Sequence, residues 1–137
     1  LPPSSAASDV YKRQLLEISD VVSIHARVTK ETVNLIGKKE ISLMKKDSYL
    51  INTARGPLLD YKALHDALSN GKLKGAALDT FYEEPLPENH IFKNLNNVTI
   101  TPHIAGASVK TAYYAAEVIA KDVRNYIDGK KLVNRIC

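Results

Sequence analysis

The sequence predicts an α/β fold built on a parallel sheet, and three observations carry that reading. Four short apolar runs recur along the chain, separated by amphipathic stretches with helical spacing rather than by two-residue hairpin turns. Capping residues and glycines punctuate those stretches where helices would start and stop. Reactive polar side chains follow the apolar runs directly, which is where the strands of an open parallel sheet deliver them.

The first fourteen residues, LPPSSAASDVYKRQ, show no period and are rich in Pro, Ser and Ala. They are expected to lie outside the fold as a tail, either as ordinary disordered chain or as foreign sequence. The stretch DVYKRQ (9–14) resembles the in-frame translation of a transposon-end adaptor used in sequencing libraries.

The regular pattern starts at Leu15. DVVSIHA (20–26) reads as a first strand, rich in β-branched residues. Residues 29–37 form a loop, after which KKEISLMKK places Ile41 and Met44 at helical spacing. SYLIN (48–52) is a second, buried strand. Asp60 is placed to cap a helix whose inner face holds Ala63, Leu64, Ala67 and Leu68, and Gly71 ends it. GAALDTF (75–81) is the third strand, followed by an acidic, proline-containing loop over 83–88. NVTIT (97–101) is the fourth strand. A long helix over 109–127 follows, with Ala112, Ala116, Ile119, Ala120, Val123 and Ile127 on one stripe, and Gly129 stops it.

With 137 residues, 45% of them hydrophobic, the chain is long enough for one domain with a buried core. It has no apolar run of membrane-spanning length, so no membrane partner is expected. The formal charge of +4 is scattered, apart from pairs such as Lys38-Lys39 and Lys45-Lys46. Nucleic-acid binding needs a contiguous basic stripe and is not expected. The single cysteine, Cys137, allows no internal disulfide, and a reducing, cytoplasmic setting fits.

Four successive strand ends aim chemistry at one sheet edge. They offer His25 and Arg27, then Arg55, then Asp79 with the Glu83-Glu84-Pro85 turn, then His103. Each has a plain reading when taken singly: a satisfied histidine, a surface ion-pair arginine, a turn-capping aspartate, a polar loop glutamate. Together they make a site. A guanidinium grips a carboxylate by two parallel hydrogen bonds. An imidazole moves a proton near neutral pH, and a carboxylate beside it favours the protonated ring. That set suits the reversible reduction of a 2-oxo acid.

Three stretches, MKKDSYLINTARGPLLD (44–60), GAALDTFYEEPLP (75–87) and NVTITPHIAGAS (97–108), resemble signature segments of the D-isomer-specific 2-hydroxyacid dehydrogenase family, which includes phosphoglycerate dehydrogenase. The resemblance runs from about Leu15 to the end of the chain. It implies a partial Rossmann-like, doubly wound parallel sheet, the second half of a dinucleotide-binding domain, over 15–128. Residues 129–137 would return toward a separate substrate domain. It implies an NAD-dependent oxidoreductase, with NADP left open, moving hydride between nicotinamide and a small 2-oxo or 2-hydroxy acid, and a homodimer for the full-length enzyme. It makes Arg55 the substrate-carboxylate arginine, His103 the acid/base and Glu84, preferred over Glu83, its partner. Asp79 would bind the nicotinamide carboxamide, and Thr53, Ala54, Arg55 and the backbone of His103, Ile104, Ala105 and Gly106 would line the cofactor. No metal is implied. On this reading Pro102 ends the fourth strand and turns His103 into the cleft, while Gly106 lets the backbone approach the dinucleotide.

The chain departs from the family at one place. A His-x-Pro-like pattern is usual after the first of these strands, and here Arg27 replaces the proline, facing either solvent or a phosphate. His25 matches the family's usual histidine or asparagine and reads as structural or cofactor-lining, whereas His65 and His90 read as surface residues. No G-x-G-x-x-G occurs anywhere in the chain. The expected consequence is a truncated fragment with the reactive residues but half of its cofactor cradle, binding NAD poorly and turning over little. The resemblance leaves two other readings, an NAD-sensing corepressor-like binding module without turnover, and a chain without a role as expressed.

Overall fold

The computed structural model describes residues 5–134, so the expectation for residues 1–4 and for Cys137 lies outside the described residues. By internal contacts the chain divides into two compact units, Leu1–His103 and Ile104–Cys137.

The first unit is organised by four strands, β1 (Val21–Ile24), β2 (Ser48–Asn52), β3 (Leu73–Leu78) and β4 (Val98–Ile100). They form one parallel sheet in the order β1-β2-β3-β4. The register sets the function of this sheet. Ile24 pairs with Asn52, Asn52 with Leu78, and Leu78 with Ile100, so the four strand ends make one straight row. Whatever follows those residues in sequence must emerge along one edge. Against the strands expected over 20–26, 48–52, 75–81 and 97–101, β2 matches, β1 and β4 are shorter at both ends, and β3 ends earlier. Side chains bonded to the turns take over beyond the ends, and the third strand starts earlier because Leu73 already pairs with Ser48.

The helices are α1 (Ser5–Ile18), α2 (Lys38–Leu43), α3 (Tyr61–Ser69) and, in the second unit, α4 (Val109–Ile127). The first departs from expectation. Residues read as a tail continue one helix in phase with Leu15 to Ile18, because Ala, Lys, Arg, Gln and Leu are all good helix formers. Leu16 is fully buried in the core, and Lys12 Nζ donates to Glu40 Oε1 at 3.1 Å, tying α1 to α2. The core joins Leu50, Leu73 and Leu78 of the sheet to Leu16, Ile41, Met44, Leu64 and Phe92. Burying each such side chain contributes about 1.5–3 kcal/mol.

The α3 boundaries follow from local chemistry. Asp60 Oδ1 accepts from Ala63 N at 3.0 Å, which satisfies one of the otherwise orphaned first-turn donors. Gly71 takes φ +73°, and Lys72 N closes on Ala67 O at 3.0 Å.

In the second unit Ser108 Oγ caps α4 by accepting from Thr111 N at 3.0 Å. At its far end Asp122 accepts from Val133 N and Asn134 N, both at 2.9 Å, folding the following segment back along the helix. The apolar stripe expected from the sequence stays exposed along α4. No helix among the described residues is long and apolar enough to cross a membrane.

Candidate active site

Past the row of strand ends, β2 runs into Thr53-Ala54-Arg55. Asn52, completely buried, holds this turn from within: its Nδ2 donates to Arg55 O at 2.9 Å and its Oδ1 accepts from Ala54 N at 3.0 Å. Arg55 then caps a 3₁₀ turn, Gly56–Leu58, and its exposed side chain gives one hydrogen bond to Ala54 O. Gly56 presses so close to the β3 exit that a Cβ there would stand 2.3 Å from Phe81 C and 2.5 Å from Tyr82 N. Neither Asn52 nor Gly56 was singled out from the sequence. The signal available was a polar residue closing a buried strand and a glycine following the arginine.

The β3 exit carries Asp79, 3% exposed, whose Oδ1 accepts from Thr101 Oγ1. The chain then makes a tight turn, closed by Glu84 Oε1 accepting from Phe81 N at 2.8 Å, and the Glu84–Pro85 peptide is cis. The other oxygen, Glu84 Oε2, lies 2.8 Å from His103 Nδ1. The hydrogen bond from His103 holds the Glu84 carboxyl below the usual carboxylate range, helped by the Phe81 N–H and, more weakly, by the Arg55 charge. Of the two glutamates, it is Glu84 that meets the imidazole.

β4 ends at Ile100, two residues before Pro102. Beyond its end Thr101 N donates to Leu78 O at 3.0 Å and His103 N to Asp79 O at 2.9 Å. These acceptors are adjacent residues, so the regular ladder has already stopped. The chain turns at His103, which adopts φ +55°. That conformation costs a non-glycine residue about 1–2 kcal/mol, and its anchored N–H holds it there.

Asp79, Glu84, Thr101 and His103 line one pocket of about 490 Å³ together with Phe81 and Lys93. Thr53, Ala54 and Arg55 line a second cleft of about 510 Å³, shared with Arg27. Ile104, Ala105 and Gly106 belong to the second unit, where Ala107 N closes a turn on Ile104 O at 2.9 Å. A Cβ on Gly106 would meet nothing within 4 Å among the described residues.

The remaining histidines separate. His25 is exposed, with Nε2 2.8 Å from Ser23 Oγ. His90 is half-buried: it sits edge-on to Tyr61 and Phe81, and its Nδ1 accepts from Phe92 N. Burial keeps its pKa below the ordinary value. His65 is half-buried beside Phe92.

The residues present fit one end of a nicotinamide dinucleotide. A buried carboxylate lining a pocket can accept amide N–H groups, and the pocket is bordered by the hydrogen-bonded His103–Glu84 pair. Among the described residues no cluster of three or more His, Cys, Asp or Glu side chains is disposed to hold a metal ion.

The family model described as "D-isomer specific 2-hydroxyacid dehydrogenase, NAD binding domain" matches residues 4–105. A glyoxylate reductase of Thermofilum pendens is 48% identical over 124 residues, covering 88% of this chain and 37% of that protein. The D-3-phosphoglycerate dehydrogenase of Escherichia coli is 37% identical, over 99% of this chain and 34% of its own length. Among solved structures, D-lactate dehydrogenase with NAD+ from Lactobacillus jensenii superimposes with a TM-score of 0.82 at 28% identity, covering 91% of this chain and 42% of that one. The chain thus spans little more than a third of the length of these two curated relatives.

Proposed function

Because the chain belongs to the NAD-binding domain family of the D-isomer-specific 2-hydroxyacid dehydrogenases, we propose that its Arg55, Glu84 and His103 serve hydride transfer between a nicotinamide and a small 2-oxo or 2-hydroxy acid. When bound, the nicotinamide supplies or accepts the hydride. The single observation that carries the reading is the 2.8 Å contact of His103 Nδ1 with Glu84 Oε2 at the mouth of the Asp79 pocket.

A carboxylate only accepts, so the proton between them belongs to Nδ1 of His103. Nε2 is then the atom that gives a proton to the carbonyl oxygen during reduction and takes it back from the hydroxyl during oxidation. Glu84 is fixed by the Phe81 N–H through its other oxygen, so it holds the imidazole in one orientation. Arg55 grips the substrate carboxylate with the planar fork of its guanidinium and polarises the adjoining carbonyl. Asp79, held by Thr101, accepts from the carboxamide of the nicotinamide and fixes which face of the ring meets the substrate.

The test is NADH oxidation by the protein carrying this chain at its full genomic length. Glyoxylate comes first in a panel of 2-oxo acids, because a relative named glyoxylate reductase is 48% identical. Wild type is compared with Arg55→Ala and His103→Ala. Loss of most of the rate in both, about a hundredfold or more for the histidine, supports the reading. NADH binding without turnover would replace it with the sensing module.

A further inference from the structure

His90 stands in an aromatic cluster to which the hydride-transfer reading gives no task. Its ring lies edge-on to Tyr61 and to Phe81, with centroids 5.6 Å away in both cases, and 5.3 Å from the ring of Phe92. Two of these neighbours anchor the turn that carries Glu84. Phe81 N donates to Glu84 Oε1 at 2.8 Å, and Tyr61 Oη accepts from Tyr82 N at 3.0 Å. His90 thus packs on both of the residues that hold the turn, although it does not itself line the pocket.

Hydrogen bonding fixes the tautomer of this ring. Its Nδ1 accepts from Phe92 N at 3.4 Å, capping the 3₁₀ turn Ile91–Asn94. A backbone N–H only donates, so Nδ1 carries the lone pair and the ring proton sits on Nε2. Protonating Nδ1 would turn the acceptor into a donor and set one N–H against another. The ring must then leave its place, and its edge contacts with Tyr61 and Phe81 go with it. The surroundings oppose that protonation: burial first, then the positive charge of Lys93 on the same 3₁₀ turn, with Glu83 pulling the other way. From α3, Tyr61 is an uncharged phenol, its pKa pushed up to about 12, and His65 lies across Phe92 with its ring 6.5 Å from that residue's.

We propose that neutral His90 is a positioning residue for Glu84, acting through Phe81 and Tyr61, and that its protonation loosens the Glu84 turn. The proposal rests on the dehydrogenase reading for the task of Glu84, which is to orient the His103 imidazole. It ties the geometry of the His103–Glu84 pair to the charge of a second histidine outside the pocket.

The experiment is an NMR pH titration of the isotope-labelled 137-residue chain as wild type, His90→Asn and His103→Asn. It follows the His90 ring, the backbone amides of Phe81 and Tyr82, and the Glu84 carboxyl carbon. Asparagine at 90 keeps a side-chain acceptor for Phe92 N and does not titrate. In wild type the His90 midpoint should lie below 6.5, and the Phe81, Tyr82 and Glu84 signals should share a step at that midpoint. The step should vanish in His90→Asn and persist in His103→Asn, which removes the other imidazole bonded to Glu84. A folded pKa below the unfolded one adds stability that is complete above 6.5 and lost as pH falls through the lowered value. The urea midpoint of wild type should therefore drop on acidification below 6.5 further than that of His90→Asn. A His90 titration with no step at Phe81, Tyr82 and Glu84 overturns the proposal, as does a step that survives in His90→Asn or is lost in His103→Asn. If His90→Asn does not fold, coincidence of the midpoints in wild type and His103→Asn decides the matter. No turnover is needed, so a His90-linked step in a full-length protein without dehydrogenase activity would keep the positioning contact and remove only the catalytic reading.

Discussion

Gly56 and Phe81 touch through their backbones: a methyl group on Gly56 would lie 2.3 Å from the carbonyl carbon of Phe81. This contact joins the turn that carries Arg55 to the turn that carries Glu84. The obstacle is main chain on both sides, and it cannot rotate away as a side chain would. Gly56→Ala should therefore destabilise the chain by about 1–3 kcal/mol, the usual range for overpacking, read from urea unfolding. Gly106→Ala, which meets open space, should stay within about 0.5 kcal/mol of wild type. Equal midpoints for the two variants would show that the 55–57 turn yields without resistance.

Asn52 acts on the same turn from inside the core. Asn52→Ala strands the Ala54 N–H and the Arg55 carbonyl, both of which the side chain now satisfies. A cost of about 1–3 kcal/mol follows for groups left without partners. Since Arg55 is read as the carboxylate grip, the full-length variant should also show a raised KM for the 2-oxo acid. Unchanged stability and KM together would remove Asn52 as a positioning residue.

Sequence patterning reached the elements whose causes are local. SYLIN coincides with β2, the long helix runs over Val109–Ile127, and Asp60 and Gly71 bound α3, because an N-cap and a left-handed glycine announce themselves in single residues. The co-location of Arg55, Asp79, Glu84 and His103 on one edge was legible as well, since a parallel sheet sends every strand end the same way. What the chain hid is non-local. The demand for glycine at 56 comes from Phe81, twenty-five residues on. The left-handed φ of His103 depends on its N–H reaching Asp79 O. The helix from Ser5 was masked by composition, and Leu16, which fixes its inner face, shows its burial only in three dimensions.

The Glu84 carboxyl titrates below its ordinary value of 4.5, chiefly through the hydrogen bond from His103. A folded-state pKa lower than the unfolded one adds stability that is complete above the ordinary value and is lost as pH falls through the lowered one. Wild type should therefore lose its advantage over Glu84→Gln on acidification below pH 4.5. In a carbon-detected NMR titration the Glu84 midpoint should lie below that value and move back toward it in His103→Asn. A midpoint at or above the ordinary value would mean that the 2.8 Å contact does not persist in solution.

Tyr61 supports the turn that carries Glu84. Its Oη accepts from Tyr82 N at 3.0 Å, two residues before Glu84, and its ring meets Phe81, Tyr82, His90 and Phe92 edge-on. Burial, with the neighbouring Tyr82 and Glu84 adding to it, pushes its phenol up from 10.0 to about 12, against the opposing pull of the Tyr82 N–H. An acid with a raised folded pKa contributes stability that is complete below its ordinary value and disappears as pH rises through the raised one. The ultraviolet difference titration of wild type against Tyr61→Phe should isolate one phenol ionising near pH 12, two units late. The phenylalanine variant also leaves the Tyr82 N–H without its acceptor and should lose about 1 kcal/mol at neutral pH. If the Glu84 turn depends on that bond, the full-length variant loses kcat with little change in KM, because the turn carries the partner of His103 and not the carboxylate grip. A phenol titrating at its ordinary value, with kcat unchanged, would assign the 80–84 turn its shape from Gly56 and Glu84 alone.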